Sequence, residues 1–508
     1  MEYEVVIGLE IHAQLLTRSK MFCGDSAEYA DAPPNTHVCP VCLGMPGVLP
    51  VINRTAIEYA VMTALALNCE IAEFTRFDRK NYFYPDLMKD YQISQYDMPL
   101  SHDGWMSVEM ADQTRAMDAP NGASPAESTE RKIVRIKRVH MEEDTARLLH
   151  RVDALGETYS LVDINRAGAP LMEIVTEPDL RSPEEAQQFL MQLRSILRYL
   201  GVSTGNMEEG SFRCDANISV RPRGSTELGE KVEVKNMNSF RAVFRALRYE
   251  AERQIEAQQT GGRIVQETRG WVEDKSITVS QRSKEYAHDY RYFPEPDLPP
   301  LVFSREWVEK LRRGLPELPD AKRERYMREF GLSVYDATLL TEARPVAEFF
   351  EECMRQVTGT ANVPAMAKAV SNWMLGDFRR LLNETGTEIT ASRVSPAHLV
   401  GMIEMVDAGQ ISGKIAKTVF EEMFASGKRA GDVVAERGLT QISDVSELEQ
   451  VLSQILDANP QAVEDYFRGK TQSLTYLVGQ TMKATRGKAD PALTNRLLRE
   501  LLEKRRSA

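Results

Sequence analysis

The heptapeptide PEPDLPP at 294–300 divides this chain of 508 residues into two parts that follow different patterning rules. Its four prolines deny the backbone donors and the φ range that a helix or a central strand requires. Before it, apolar residues recur mostly with a period of two, interrupted by a few helical stripes; after it, nearly every segment carries the helical period. The predicted fold class is therefore α+β. A mixed-sheet domain is predicted at 1–300, an all-helical middle domain at 301–395 and a small helical tail domain at 396–508.

Within the first part the alternation is cleanest at 5–15, where Val5, Ile7, Leu9, Ile11, Ala13 and Leu15 share one face and Gly8, Glu10, His12 and Gln14 the other. Strands are also predicted at 133–141, 159–165, 171–176, 212–220 and 231–235. Ser182-Pro183-Glu184-Glu185 is a capping box that opens a helix closing at Gly201, and Asn53 caps another. Residues 112–130 read as a loop. In the second part Asp320 is predicted to cap a helix ending at Gly331, and 363–383 to form one helix. Ser395-Pro396, Asn459-Pro460 and Asp490-Pro491 are further start signals.

Composition narrows the class. With 42% apolar and 27% charged residues, the chain has enough apolar side chain for several cores and is not intrinsically disordered. Its net charge of −12 supplies no global field for nucleic acid, so such a site must be a local basic patch. No apolar run reaches the ~18 residues of a membrane span. Six cysteines in so long a chain do not make a disulfide framework, and the acidic start MEYE lacks the positive charge of a signal peptide. A cytoplasmic, membrane-free protein is expected.

The chemistry-bearing residues gather on the polar faces of the predicted strands. Glu10 and His12 point the same way about 7 Å apart. Glu173 lies inside the apolar string LMEIV, where an unpaired carboxylate is costly. His140-Met141-Glu142-Glu143-Asp144 packs three acids whose repulsion asks for a cation. Together they suit a divalent metal, although the strand pattern does not choose between Glu142 and Glu143. Arg213, Asp215 and Asn217 share a face, as do Lys231, Glu233 and Lys235; cations beside acids and amides are what phosphate-plus-metal chemistry uses. Neither GxGxxG nor GxxxxGK[ST] occurs, so a nucleotide would need a sheet-based site. Gly201-Val202-Ser203-Thr204-Gly205 fits G-x-S-x-G, but a helix precedes it where a nucleophile elbow needs a strand.

Cys39-Pro40-Val41-Cys42 with Cys23 upstream has zinc spacing, with Asp25 or His37 available as a fourth ligand. Two aromatic runs, NYFYPD (81–86) and DYRYFP (289–294), could stack on bases or pack against protein. From 470 onward nine basic residues face three acidic ones, a local excess of six that suits a phosphate backbone.

The strings that carry these residues are long and rare in composition: VIGLEIHAQL (6–15), PNTHVCPVCLGMPGVLPVIN (34–53), FDRKNYFYPDLMKDYQISQYD (77–97), HMEED (140–144), LVDINRAGAPLMEIVTEPD (161–179), MEEGSFRCDANISVRP (207–222) and HDYRYFPEPDLPP (288–300). Through them the chain resembles, essentially end to end, the B-subunit family of the aspartyl/glutamyl-tRNA(Asn/Gln) amidotransferases. That resemblance implies a cradle-shaped first domain followed by helical domains. It implies ATP- and Mg²⁺-dependent phosphorylation of the side-chain carboxylate of misacylated Glu-tRNA(Gln) or Asp-tRNA(Asn), then amidation of the acyl phosphate. Ammonia would come from a glutaminase A subunit, with a small C subunit completing a heterotrimer. The implied Mg²⁺ ligands are Glu10, His12, Glu143 and Glu173. For ATP or phosphate, Arg213, Asp215, Asn217 and Lys235 are the candidates. Metal-bearing members of the family hold zinc on four cysteines, of which Cys23, Cys39 and Cys42 are present here while Asp25 stands in the remaining place. Two other classes fit less of the sequence: a non-catalytic tRNA-binding scaffold, and an ATP-dependent ligase of a free small molecule, which leaves the basic tail unexplained.

Overall fold

The computed structural model describes residues 2–110, 130–283, 290–357, 362–439, 445–470, 472–485, 489 and 491–507. The predicted loop at 112–130 therefore lies almost wholly outside the described residues, as do Asp490 and the basic residues Arg486 and Lys488. The chain forms two compact units, Met1–Pro319 and Asp320–Ala508.

The first unit is built on a nine-stranded sheet. In chain order its strands are β1 (Tyr3–Gln14), β2 (Glu70–Ile71), β3 (Ser101–Met110), β4 (Glu130–Glu143), β5 (Pro170–Thr176), β6 (Phe212–Pro222), β7 (Val232–Lys235), β8 (Glu267–Val272) and β9 (Ile277–Ser283). They lie in the order β9-β8-β7-β6-β1-β5-β4-β3-β2. All pairs are antiparallel except β7 with β8, which are joined by a helical crossover as parallel neighbours must be.

The alternation of β1 decides which side of this sheet is buried. Ile7, Leu9, Ile11 and Ala13 are at most 1% exposed and face the core. Helices α1 (Arg54–Ala66), α2 (Pro183–Leu200) and α3 (Phe240–Gln259) cover that face. Helix α2 forms as the sequence dictates: the Ser182 hydroxyl accepts from the Glu185 N–H, Pro183 occupies the first turn, and Gly201 closes the helix at φ 70°. Its stripe of Phe189, Leu190, Leu193 and Leu197 is fully buried.

The first unit runs on past the prolines because helix α4 (Arg305–Arg313) returns to the same core, packing Trp307, Val308 and Leu311 against it. One close approach fixes the β3 end of the sheet. A Cβ on Gly104 would stand 2.3 Å from Cys69 Sγ and 2.7 Å from the Leu67 carbonyl oxygen. Gly104→Ala is expected to cost about 1–3 kcal/mol through overpacking, read as an earlier urea midpoint at an unchanged slope.

The second unit is helical throughout its described residues, and none of its helices is long and apolar enough to cross a membrane. The predicted helix at 363–383 is interrupted: α-helix Val363–Trp373 passes through a wide turn at Met374–Phe378, where Gly376 leaves helical geometry, before resuming at Arg379–Thr385. Helix Pro396–Asp407 lies against Arg344–Gln356, across the expected boundary at 395. A separate apolar cluster begins later, with Leu448, Leu452, Leu456, Leu477, Leu498 and Leu502.

Candidate active site on the polar face of the sheet

Strand register builds the site in three rungs. His12 on β1 lies opposite Glu173 on β5 and Arg213 on β6, and Glu173 lies opposite His140 on β4. Directly cross-strand residues share a face, so His140, Glu173, His12 and Arg213 form one rung across four strands. Two residues along in one direction the rung is Arg138, Val175, Glu10 and Asp215; in the other it is Glu142, Leu171 and Gln14. Because β1 buries its odd-numbered side chains, this whole face is the polar one.

The middle of the face is a tight cluster. His12 Nε2 is 3.3 Å from Glu142 Oε1 and 3.5 Å from Glu173 Oε2, and His140 Nε2 is 3.2 Å from the same Glu173 oxygen. One ligand atom from each of His12, Glu142 and Glu173 lies within 4.8 Å of the others. Burial alone would push the His12 imidazole down, but the two carboxylates overcome it and raise it to about 10. Burial likewise opposes ionisation of Glu173, yet His140 and His12 hold its carboxyl well below the usual carboxylate range. A divalent cation at this cluster would meet one nitrogen and two hard oxygens, which fits magnesium or manganese. His140 Nδ1 is buried and without a partner among the described residues.

One expected ligand stands outside this cluster. Glu143 is not in the cluster; it ion-pairs with Lys89 and accepts the Ile93 N–H at 3.0 Å. The reason is the pleat: His140 faces Glu173, so Glu142, two residues on, shares that face and Glu143 does not. Glu10 is on the face but one step from the cluster, its Oε1 accepting from Asn217 Nδ2 at 2.9 Å.

Two cation–carboxylate pairs flank the centre. Arg213 donates to Asp144 Oδ2 at 2.8 Å, where Gln14 also donates at 2.6 Å. Burial would raise the Asp144 carboxyl, but Arg213 and Arg166 hold it below the ordinary value. Lys235 meets Asp215 at 2.6 Å and Glu233 at 3.3 Å; burial opposes its charge and these acids more than restore it. Arg213, Asp215, Asn217 and Lys235 therefore all reach this face. The two aromatic runs meet beside it: the Asn81 N–H bonds the Tyr290 carbonyl, and Tyr82 and Tyr290 pack edge to face.

A second cluster stands apart on the loops after β1. Cys23, Asp25, Cys39 and Cys42 each bring one ligand atom within 4.8 Å of the rest. Cys42 Sγ lies 3.1 Å from Asp25 Oδ2, 3.7 Å from Cys23 Sγ and 3.8 Å from Cys39 Sγ. His37 is not part of the group; its carbonyl instead accepts from the buried Lys20 ammonium, which also lies 3.4 Å from Cys42 Sγ. The Cys23 contact, with the Cys39 backbone N–H and Lys20, outweighs burial and lowers the Cys42 thiol to about 6. Gly201 and Gly205 form a left-handed helix end and loop, with no strand leading into Ser203.

Comparison with known proteins places these features in a family. Residues 5–309 match the GatB/GatE catalytic domain, and residues 348–502 match the GatB domain. The B subunit of the aspartyl/glutamyl-tRNA(Asn/Gln) amidotransferase of Moorella thermoacetica is 55% identical over 99% of this chain and 100% of its own length. Those of Carboxydothermus hydrogenoformans and Dehalococcoides mccartyi (strain CBDB1) are 53% and 54% identical over 99% of both chains. The polar face described above falls wholly inside the catalytic-domain match, and with it the chain belongs to the family of aspartyl/glutamyl-tRNA(Asn/Gln) amidotransferase B subunits.

Proposed function

We propose that the polar face of the sheet converts glutamate or aspartate, esterified to tRNA(Gln) or tRNA(Asn), into its amide: an ATP-dependent ligase reaction forming a C–N bond. The observation that carries this reading is the His12–Glu142–Glu173 cluster flanked by Arg213 and Lys235 on one face of the catalytic domain.

The chemistry explains the need for such a face. A carboxylate resists ammonia because its oxygen is a poor leaving group; transfer of a phosphoryl group from ATP makes that oxygen part of phosphate, which ammonia displaces. Bringing polyphosphate and carboxylate together requires positive charge. His12, Glu142 and Glu173 would hold Mg²⁺, with Glu10 next along β1, and the ion would supply charge neutralisation at the phosphate oxygens. Arg213 pairs with Asp144 and Lys235 with Asp215, so the face retains its acids without accumulating unbalanced charge. Ammonia would come from the glutaminase A subunit, with the small C subunit holding the assembly. The basic residues from 470 onward would meet the tRNA, and the cytoplasm is the proposed compartment. The reading is tested by following labelled glutamate on tRNA(Gln) into glutamine with ammonium, Mg²⁺ and ATP. Conversion that requires both ATP and esterified tRNA supports it; conversion of free glutamate, or conversion without ATP, overturns it.

For the second cluster the reading is zinc on Cys23, Asp25, Cys39 and Cys42. Three thiolates and a carboxylate converging on one point make a closed tetrahedral set, and the buried Lys20 offsets part of its negative charge. One zinc per chain is expected by elemental analysis of the purified protein, falling below 0.2 (a rough threshold) in Cys42→Ser. Cobalt substitution should give the visible bands of a tetrahedral thiolate site, weakened and shifted in Asp25→Asn.

A further inference from the structure

Of the cations on the polar face, Arg213 and Lys235 are already engaged. Arg213 serves Asp144, which is buried, and Lys235 serves Asp215 and Glu233. Drawing either away to a substrate would strand a carboxylate on a face that already holds Glu10, Glu142 and Glu173. Arg138 is different. It projects from the same face, two residues before His140 and opposite Val175, the next rung to Glu173. No carboxylate pairs with it among the described residues. Among the described residues its guanidinium makes one hydrogen bond, a long one from Nη1 to the Tyr96 carbonyl at 3.4 Å, and its buried Nε has no partner.

The surroundings suit an anion carried by something larger than a free ion. Tyr96, whose carbonyl Arg138 touches, stacks on Tyr292 with centroids 4.1 Å apart and planes 9° from parallel, and is still 51% exposed. Through the Tyr96 carbonyl the guanidinium adjoins the tyrosine pair, and through the strand register it stands one rung from Glu173 on the same face. Arg138 also stands on an interior strand, between β5 and β3, which fixes its backbone more firmly than a loop would.

We propose that Arg138 is the phosphate-binding arginine of this face, taking oxygens of the nucleoside triphosphate that donates the phosphoryl group, beside a wall made by the Tyr96–Tyr292 stack. The inference rests on the function proposed above and adds to it the residue that meets the donor's phosphate. A guanidinium fork matches two phosphate oxygens at once, which an ammonium does not, so the two basic side chains are not equivalent here.

The test measures KM for ATP and for misacylated tRNA in the assembled enzyme with ammonium as nitrogen source, for wild type, Arg138→Ala and Arg138→Lys. Equilibrium binding of a non-hydrolysable ATP analogue to each full-length chain is measured in parallel. Arg138→Ala is expected to raise KM for ATP and weaken analogue binding by about 10- to 100-fold, with KM for tRNA changed less than about 2-fold. Arg138→Lys is expected to recover only part of the loss. Because the side chain holds no ion pair among the described residues, the melting temperature should stay near that of wild type. Unchanged analogue affinity in Arg138→Ala overturns the assignment, as does a rise confined to KM for tRNA, which would give the arginine to the RNA. A wild-type enzyme that needs no ATP overturns the proposed function as well, so the two failures are separable.

Discussion

Glu142→Gln is expected to lower ATP-dependent amidation by at least about 100-fold, while binding of misacylated tRNA stays within about 2-fold of wild type. The substitution keeps shape and volume and removes only the charge of an oxygen 3.3 Å from His12 Nε2. A metal held by one imidazole and two carboxylates loses a formal negative ligand, and the cluster loses one of the two acids that balance His12. Glu143→Gln should behave differently, although it is the neighbouring residue. Its carboxylate ties the Tyr91–Ser94 strand and Lys89 to the end of β4, so the expected loss is in stability, with amidation per folded molecule reduced far less. Measuring kcat and melting temperature on both variants separates the roles; equal catalytic loss in the two would return Glu143 to the ligand set.

The largest stability effect is expected well away from the site, at Glu250 on α3. Its side chain is wholly buried and accepts from Arg253 Nε at 3.1 Å, Gln254 Nε2 at 3.0 Å and Thr278 Oγ1 at 2.9 Å, with Arg269 Nε 3.5 Å away. This one carboxylate fastens the crossover helix to β8 and β9 behind it. Glu250→Ala leaves a cavity and takes one of two carboxylates from the arginines, Glu267 remaining 2.8 Å from Arg269 and 4.0 Å from Arg253, and about 2–4 kcal/mol of unfolding free energy should be lost. Trp271 on β8, 5% exposed, is a local reporter: its emission should shift at a lower urea concentration in the variant. A variant whose midpoint moves by less than about 1 kcal/mol equivalent would mean that the arginines find other partners.

Much of this was legible in the sequence where a short-range rule decides the outcome. The alternation at 5–15 became β1 and put Glu10 and His12 on the polar face, because period two leaves no other arrangement with the apolar side in the core. Ser182, Asn53, Ser395 and Gly201 acted as written, since caps depend on neighbours within four residues. The choice between Glu142 and Glu143 needed one more step. Strand β4 continues to Glu143, beyond the predicted end at 141, and carrying the alternation on from His140 puts Glu142, not Glu143, on the face of His140. The small sheet of Asp78–Asn81, Tyr91–Ser94 and Phe293–Pro294 was out of reach, because strands of two to four residues leave no local pattern and the last of them pairs with the first across some 200 positions. Arg138 carries no sequence signal for a related reason: its distinction lies in what Arg213 and Lys235 are already bound to, which depends on the cross-strand register.

The central claim, that this face activates a carboxylate by phosphorylating it, is tested most directly by oxygen transfer. Glutamate labelled with ¹⁸O in its side-chain carboxylate is esterified to tRNA(Gln) and amidated with ATP and ammonium, and the released phosphate is analysed by mass spectrometry. One ¹⁸O should appear in phosphate for each amide formed by the wild type, and neither label transfer nor amide should form in His12→Ala that still binds tRNA. Amide accompanied by phosphate free of ¹⁸O, or label transfer that survives in His12→Ala, would contradict the account.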